Sequence, residues 1–141
     1  MMIERLSAAS EEVLADINKV NSQLHDDGRE ATLDELQAIL ADPDAVIVVA
    51  KEEGAIVGLA SLYILRKIGK VSAYIEDVVV DAGQRGKGIG EQLVRKTIEI
   101  ARENGVATIY LTSRPIHAAA HNLYKKVGFG TKETTVFKMN L

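Results

Sequence analysis

The chain has 141 residues, no cysteine and a net charge of −3 from 17 basic and 20 acidic residues. That length suits one domain, residues 1–141, and the missing cysteines exclude thiolate catalysis, disulfides and sulfur-ligated metal. Nucleic acid is excluded as a partner, because the basic residues are interspersed with acidic ones and Trp is absent, and no apolar run approaches the roughly twenty residues a bilayer requires, so a soluble cytoplasmic domain is expected.

"MIERL" reads as a short first strand, followed by a helix over Glu11 to Leu24, where Val13, Ile17, Val20 and Leu24 recur at helical spacing behind the cap residue Ser10. "HDDGR" breaks the pattern. Thr32 and Glu35 then stand in capping-box spacing, and Leu33, Leu36, Ile39 and Leu40 give a second helix that stops before Pro43. The period changes at Ala45, where "AVIVVA" is β-branched enough for a buried strand. The turn "KEEG", the strand "AIVGLASLYIL", the turn "RKIGK" and the strand "SAYIEDVVV" follow on connections too short for anything but an antiparallel meander.

After the glycine-rich stretch, Ile89, Leu93, Thr97 and Ile100 make the stripe of a third helix that "NG" ends, and Val106 to Thr112 form a strand reached by a helical crossover and hence parallel to "AYIEDVVV". Pro115 opens a fourth helix running to "KKVG", with Lys125 and Lys126 in its last turn and Gly128 just beyond. "GFGTKETTVFKMNL" is expected to supply one or two closing strands. The fold class is therefore mixed α/β: a largely antiparallel sheet with helices on both faces, and no repeated βαβ array.

Residues 83–90 read "GQRGKGIG". The spacing is wrong for a Walker A loop, since Gly86 and Lys87 are followed by Gly88 and no hydroxyl is present to meet magnesium. It is equally wrong for a dinucleotide fingerprint, because Gly86, Gly88 and Gly90 are two apart and the preceding strand ends an antiparallel meander. A strand that turns directly into a helix still leaves unpaired N–H groups at the helix start, and alternating glycines clear space for an oxyanion. With Arg85 and Lys87 alongside, the stretch reads as a diphosphate site.

Here the chain resembles the GNAT superfamily of N-acetyltransferases. The central Gln/Arg-x-x-Gly-x-Gly/Ala motif stands as Gln84 and Arg85 with the glycines at 86, 88 and 90, and Leu123 to Phe129, "LYKKVGF", matches the LYxxxGF signature. "IEDVVVD", "IYLTS" and the order of elements extend the likeness over nearly the whole chain. The resemblance implies a V-shaped cleft between the strand before the glycine turn and the strand after the helix, with acetyl-CoA as cosubstrate. Its pantetheine arm would pair with backbone groups of Val78, Val79 and Val80, and its pyrophosphate would meet the N–H groups of Arg85, Gly86, Lys87, Gly88, Ile89 and Gly90. His117 stands where relatives place an asparagine against the arm, and Ala120 leaves room beside it.

The same resemblance makes Tyr124 the acid that protonates the departing thiolate, and gives the Val78 N–H the thioester carbonyl. Period two puts Tyr74, Glu76, Val78 and Val80 on one face and Ile75, Asp77 and Val79 on the other. Glu76 is the candidate base, directly or through water, with Asp77 a lesser one. His25, His117 and His121 lack the spacing of a metal set, and no metal is implied. The acceptor is expected to be a primary amine on a small molecule or peptide, attacked in a ternary complex. Residues 1–53 carry 4 basic against 13 acidic residues and residues 54–141 carry 13 against 7; with Asp26, Asp27 and Glu30 in the link between the first helices, that acidic end suits a cationic acceptor. A homodimer through edge strands or the C-terminal "TTVFKMNL" belongs to the same expectation. The alternative reading is a non-catalytic acyl-CoA-binding or regulatory module.

Overall fold

The computed structural model of the protein describes residues 1–25, 27–114 and 117–141. Five strands form one sheet in chain order: β1 (Met2–Arg5), β2 (Ala45–Glu52), β3 (Ala55–Lys67), β4 (Lys70–Val80) and β5 (Thr108–Tyr110). The first four are antiparallel neighbours and β5 lies parallel to β4. Glu53 and Gly54, both at positive φ, make the tight turn between β2 and β3, the backbone geometry that matches the twist of a hairpin.

Helices α1 (Glu11–Asn21) and α2 (Leu33–Ala41) cover one face, and α3 (Ile89–Glu103) and α4 (Ala118–Val127) the other. Ser10 caps α1 by accepting from the Val13 N–H, and Thr32 and Glu35 form the expected reciprocal capping box on α2. The unbroken apolar run of β2 is explained by burial on both sides: Val46, Val48 and Ala50 join the core under α3, while Ile47 and Val49 join the core under α1 and α2. α3 approaches β3 at Gly58, where a Cβ would come within 3.1 Å of Leu93 Cδ1 and 3.2 Å of the Val79 carbonyl.

Four features differ from the sequence expectation. α1 stops at Asn21, three residues early, because the chain must turn back to a clamp in which Asn18 bonds both the N–H and the C=O of Ala31, at 2.9 and 3.0 Å. β5 is three residues long, since it pairs only with Ser72 to Tyr74 and the chain beyond Tyr110 leaves β4. Residues 129–141 form no strand among the described residues. A strand persists only with a ladder partner, and this segment stands exposed, with Phe137 91% and Met139 81% accessible; Lys132 lies 4.9 Å from the ring centroid of Tyr110. Finally, the alternation along β4 breaks at Asp77.

That break is a β-bulge. Ser61 faces Glu76 and Leu59 faces Val79, so Asp77 and Val78 together oppose Ala60, and Asp77 takes the left-handed φ of +54°. Side chains beyond the bulge change face. Val78 and Val80 therefore pack with Ala73 and Ile75 against the α3 and α4 core, Val79 turns into the α1 and α2 core, and Glu76 does not share a face with the two valines.

Candidate active site

The glycine turn follows a single 3-10 turn at Ala82–Gln84. Gly86 and Gly88 have φ of +82° and +76°, values that side chains other than glycine rarely adopt. A Cβ at either would meet no protein atom, so both face open space. The first hydrogen bond closing α3 runs from the Gln92 N–H to the Gly88 carbonyl, which leaves the N–H groups of Ile89, Gly90 and Glu91 at the open end of the helix. Gly90 serves close packing: a Cβ there would lie 3.5 Å from Leu123 of α4 and 3.8 Å from Val80 of β4.

The charges around this helix end are arranged for an anion. Arg85 and Lys87 are exposed; the Arg85 Nε donates to the Val80 carbonyl at 3.3 Å and the Lys87 Nζ to Gln84 at 2.8 Å. Glu91, an acid in the first turn, is drawn away by Lys126 at 2.8 Å and Arg95 at 2.9 Å, and the Lys126 hydrogen bond, then that of Arg95, holds its carboxyl below the usual range. The pair Glu91–Lys126 also ties α4 to α3.

The edge of β4 is open where β5 ends. The Asp81 N–H bonds the Val57 carbonyl on β3 at 2.8 Å, so the alternation of the strand turns the backbone groups of Val80 and Val78 outward, toward the gap. Val79, grouped with them on sequence, instead faces β3 opposite Leu59. Across the gap Tyr124 and Leu123 of α4 border the same apolar core as Val78 and Val80. The Tyr124 ring meets Phe129 edge-on at 6.0 Å, and burial raises its pKa above the ordinary phenol value. Tyr124 is thus protonated at neutral pH, as a proton donor must be. His117 starts α4 without a side-chain cap, its carbonyl accepting the His121 N–H, and Ala120 is half-buried in the first turn. Pro115, the expected start of this helix, lies outside the described residues.

The other face of β4 holds a polar group of residues. Glu76 is raised above the usual carboxylate range by partial burial and then by the neighbouring Asp77 charge. Asp77 Oδ1 sits 3.1 Å from Nε2 of His25, in the turn after α1. Tyr63, half-buried on β3, is raised as well, by burial first and then by the Asp77 charge. Gln23 locks the turn after α1 onto the end of β4, donating to Asp81 and accepting from the Ala82 N–H, both at 2.8 Å. Beside it lies a cavity of about 460 Å³ lined by Gln23, Leu24, His25, Asp27, Arg114 and Lys138. Gln23, Tyr63 and Lys138 carry no signal of their own in the sequence, because their placement depends on contacts across many residues.

A profile of the Acetyltransferase (GNAT) family matches residues 11–129. The chain belongs to that family. A probable glucosamine 6-phosphate N-acetyltransferase of Oryza sativa subsp. japonica is 39% identical over 114 residues, covering 72% of this chain and 66% of its own length. The glucosamine 6-phosphate N-acetyltransferase of Trypanosoma brucei brucei is 40% identical over 83 residues, 57% of this chain and 54% of its own. The chain thus spans about half to two thirds of the length of these curated relatives. Among solved structures, a putative acetyltransferase from Agrobacterium tumefaciens is 28% identical and covers both chains completely, with a TM-score of 0.86. The family fold, a mixed and mostly antiparallel sheet between two helical layers, agrees with the expected class.

Proposed function

We propose that the chain is an N-acetyltransferase that moves an acetyl group from acetyl-CoA to a primary amine by direct attack in a ternary complex. What supports this reading is one convergence: α3 opens at Gly88 directly after β4, β4 has no strand partner on the β5 side beyond Tyr74, and the half-buried Tyr124 packs against the same core as Val78 and Val80. The helix end and the cations Arg85 and Lys87 receive the diphosphate, and the strand edge pairs with the amide-bearing arm. The Val78 N–H donates to the thioester oxygen as negative charge develops there. The amine lone pair forms the new C–N bond, the C–S bond breaks, and the thiolate takes its proton from the Tyr124 hydroxyl.

Glu76 takes the proton that the amine must lose, directly or through one water. Its raised pKa strengthens it as a base, and Asp77 shares the local charge. His117 and Ala120 line the path of the arm at the start of α4. The relatives named for glucosamine 6-phosphate make amino sugars the first acceptors to test.

The test is release of free CoA thiol, with product mass, across a panel of amino sugars, amino acids, polyamines and peptide N-termini. Transfer to one class with a mass gain of one acetyl group is expected. Tight acetyl-CoA binding with no transfer to any amine would sink the enzymatic reading in favour of a non-catalytic module.

A further inference from the structure

The cavity beside His25 has an electrostatic character that the acidic link did not foreshadow. Its wall is drawn from the turn after α1, from Arg114 beyond β5 and from Lys138 in the C-terminal segment. Two cations therefore converge on one space from positions 24 residues apart. Asp27 is the acid on that wall among the described residues, and its Oδ1 already accepts the Arg29 N–H at 3.0 Å. At about 460 Å³ the space has the size of a small-molecule site.

The opposite charge lies one residue away. His25, on the cavity wall, is hydrogen-bonded to Asp77, and Glu76 is the next residue along β4. A ligand reaching from the carboxylates to the cavity meets negative charge at one end and positive charge at the other. A polyamine filling both would place ammonium groups against Arg114 and Lys138. We propose that the acceptor carries an anionic group, phosphate or carboxylate, as well as its amine, and that Arg114 and Lys138 bind that group while the amine faces Glu76 and Asp77. This rests on the N-acetyltransferase reading. Arg114 supplies the planar fork that matches a phosphate or carboxylate, and Lys138 adds a mobile point charge.

Matched pairs test the site: glucosamine 6-phosphate against glucosamine for phosphate, and alanine against alaninamide for carboxylate. At least one anionic member is expected to exceed its neutral twin in kcat/KM by roughly tenfold or more, through KM. The double change Arg114→Gln, Lys138→Gln is expected to bring that ratio near one with acetyl-CoA affinity intact, and Arg114→Lys, which keeps the charge and loses the fork, to leave it between that value and the parent's. Neutral twins used as well as the anionic compounds would overturn the anion site while leaving the acetyltransferase standing, as would a preference that survives the double change. If no amine is acetylated, the acetyltransferase reading falls. Calorimetry of the CoA-bound protein with glucosamine 6-phosphate then decides the site alone: binding weakened by the double change supports it, and binding that is absent or unaltered overturns it.

Discussion

The two sides of β4 are built by different means. On the α3 side the candidate site is mostly backbone, formed by a helix end, two glycines at positive φ and a strand edge within 13 consecutive residues, Val78 to Gly90. On the α1 side it is mostly side chains, with His25, Tyr63, Glu76, Asp77, Arg114 and Lys138 gathered from five places in the chain. The backbone half suits an invariant partner such as a common cosubstrate, since amides bind without side-chain identity. The side-chain half can be rewritten residue by residue, which is what a change of acceptor requires.

Substitutions separate the halves. Tyr124→Phe is expected to lower kcat by on the order of 10²-fold while acetyl-CoA affinity changes little, read by steady-state rates beside calorimetry. Equal turnover would remove Tyr124 as the acid. Gly88→Val puts a side chain at a φ of +76° and into open space over the helix end. Acetyl-CoA should bind roughly 10- to 100-fold more weakly to a protein whose circular dichroism is unchanged.

Glu76→Gln acts on the second half, and its expected cost is about tenfold in kcat/KM at neutral pH. It should also erase the low-pH limb of the rate profile, which in the parent protein rises as Glu76 ionises above the ordinary carboxylate range. Stability moves the other way. A raised carboxylate pKa makes the ionised form the costly one, so Glu76 withdraws stability as pH climbs from its ordinary value through the raised one. Above that window the glutamine variant should melt slightly higher; a lower melting temperature would contradict the partial desolvation of that charge. The smallest effect belongs to Asp77→Asn, because asparagine tolerates the left-handed backbone and keeps a partner for His25. A change of a few-fold in acceptor KM with acetyl-CoA affinity unaltered is expected, and a loss of cofactor affinity instead would erase the division between the halves.

Much of the first half was legible in sequence. The glycine spacing, the capping box at Thr32 and Glu35 and the meander follow from local chemistry, which a sequence displays directly. The faces of β4 did not follow, because strict alternation hides a bulge: an aspartate at positive φ leaves no mark in a pattern of valines. Val79 is separated from its two neighbours by alternation itself, which turns its backbone toward Leu59 of β3. The expected C-terminal strands do not form among the described residues, since a ladder needs a second strand and Val136 and Phe137 find none. His25 and Lys138 reach the cavity only through tertiary placement.

Gly58 lies on β3 and turns its missing side chain toward α3. One added methyl group would press on Leu93 at 3.1 Å and on the Val79 carbonyl at 3.2 Å, and the carbonyl belongs to a sheet that yields little. Leu93 would have to give way, and it stands one turn into α3, whose first turn begins at Ile89, 31 residues away in sequence. The seating depth of α3 is therefore an aiming device: a strand outside the glycine turn bears on where the open amides at the start of the helix point.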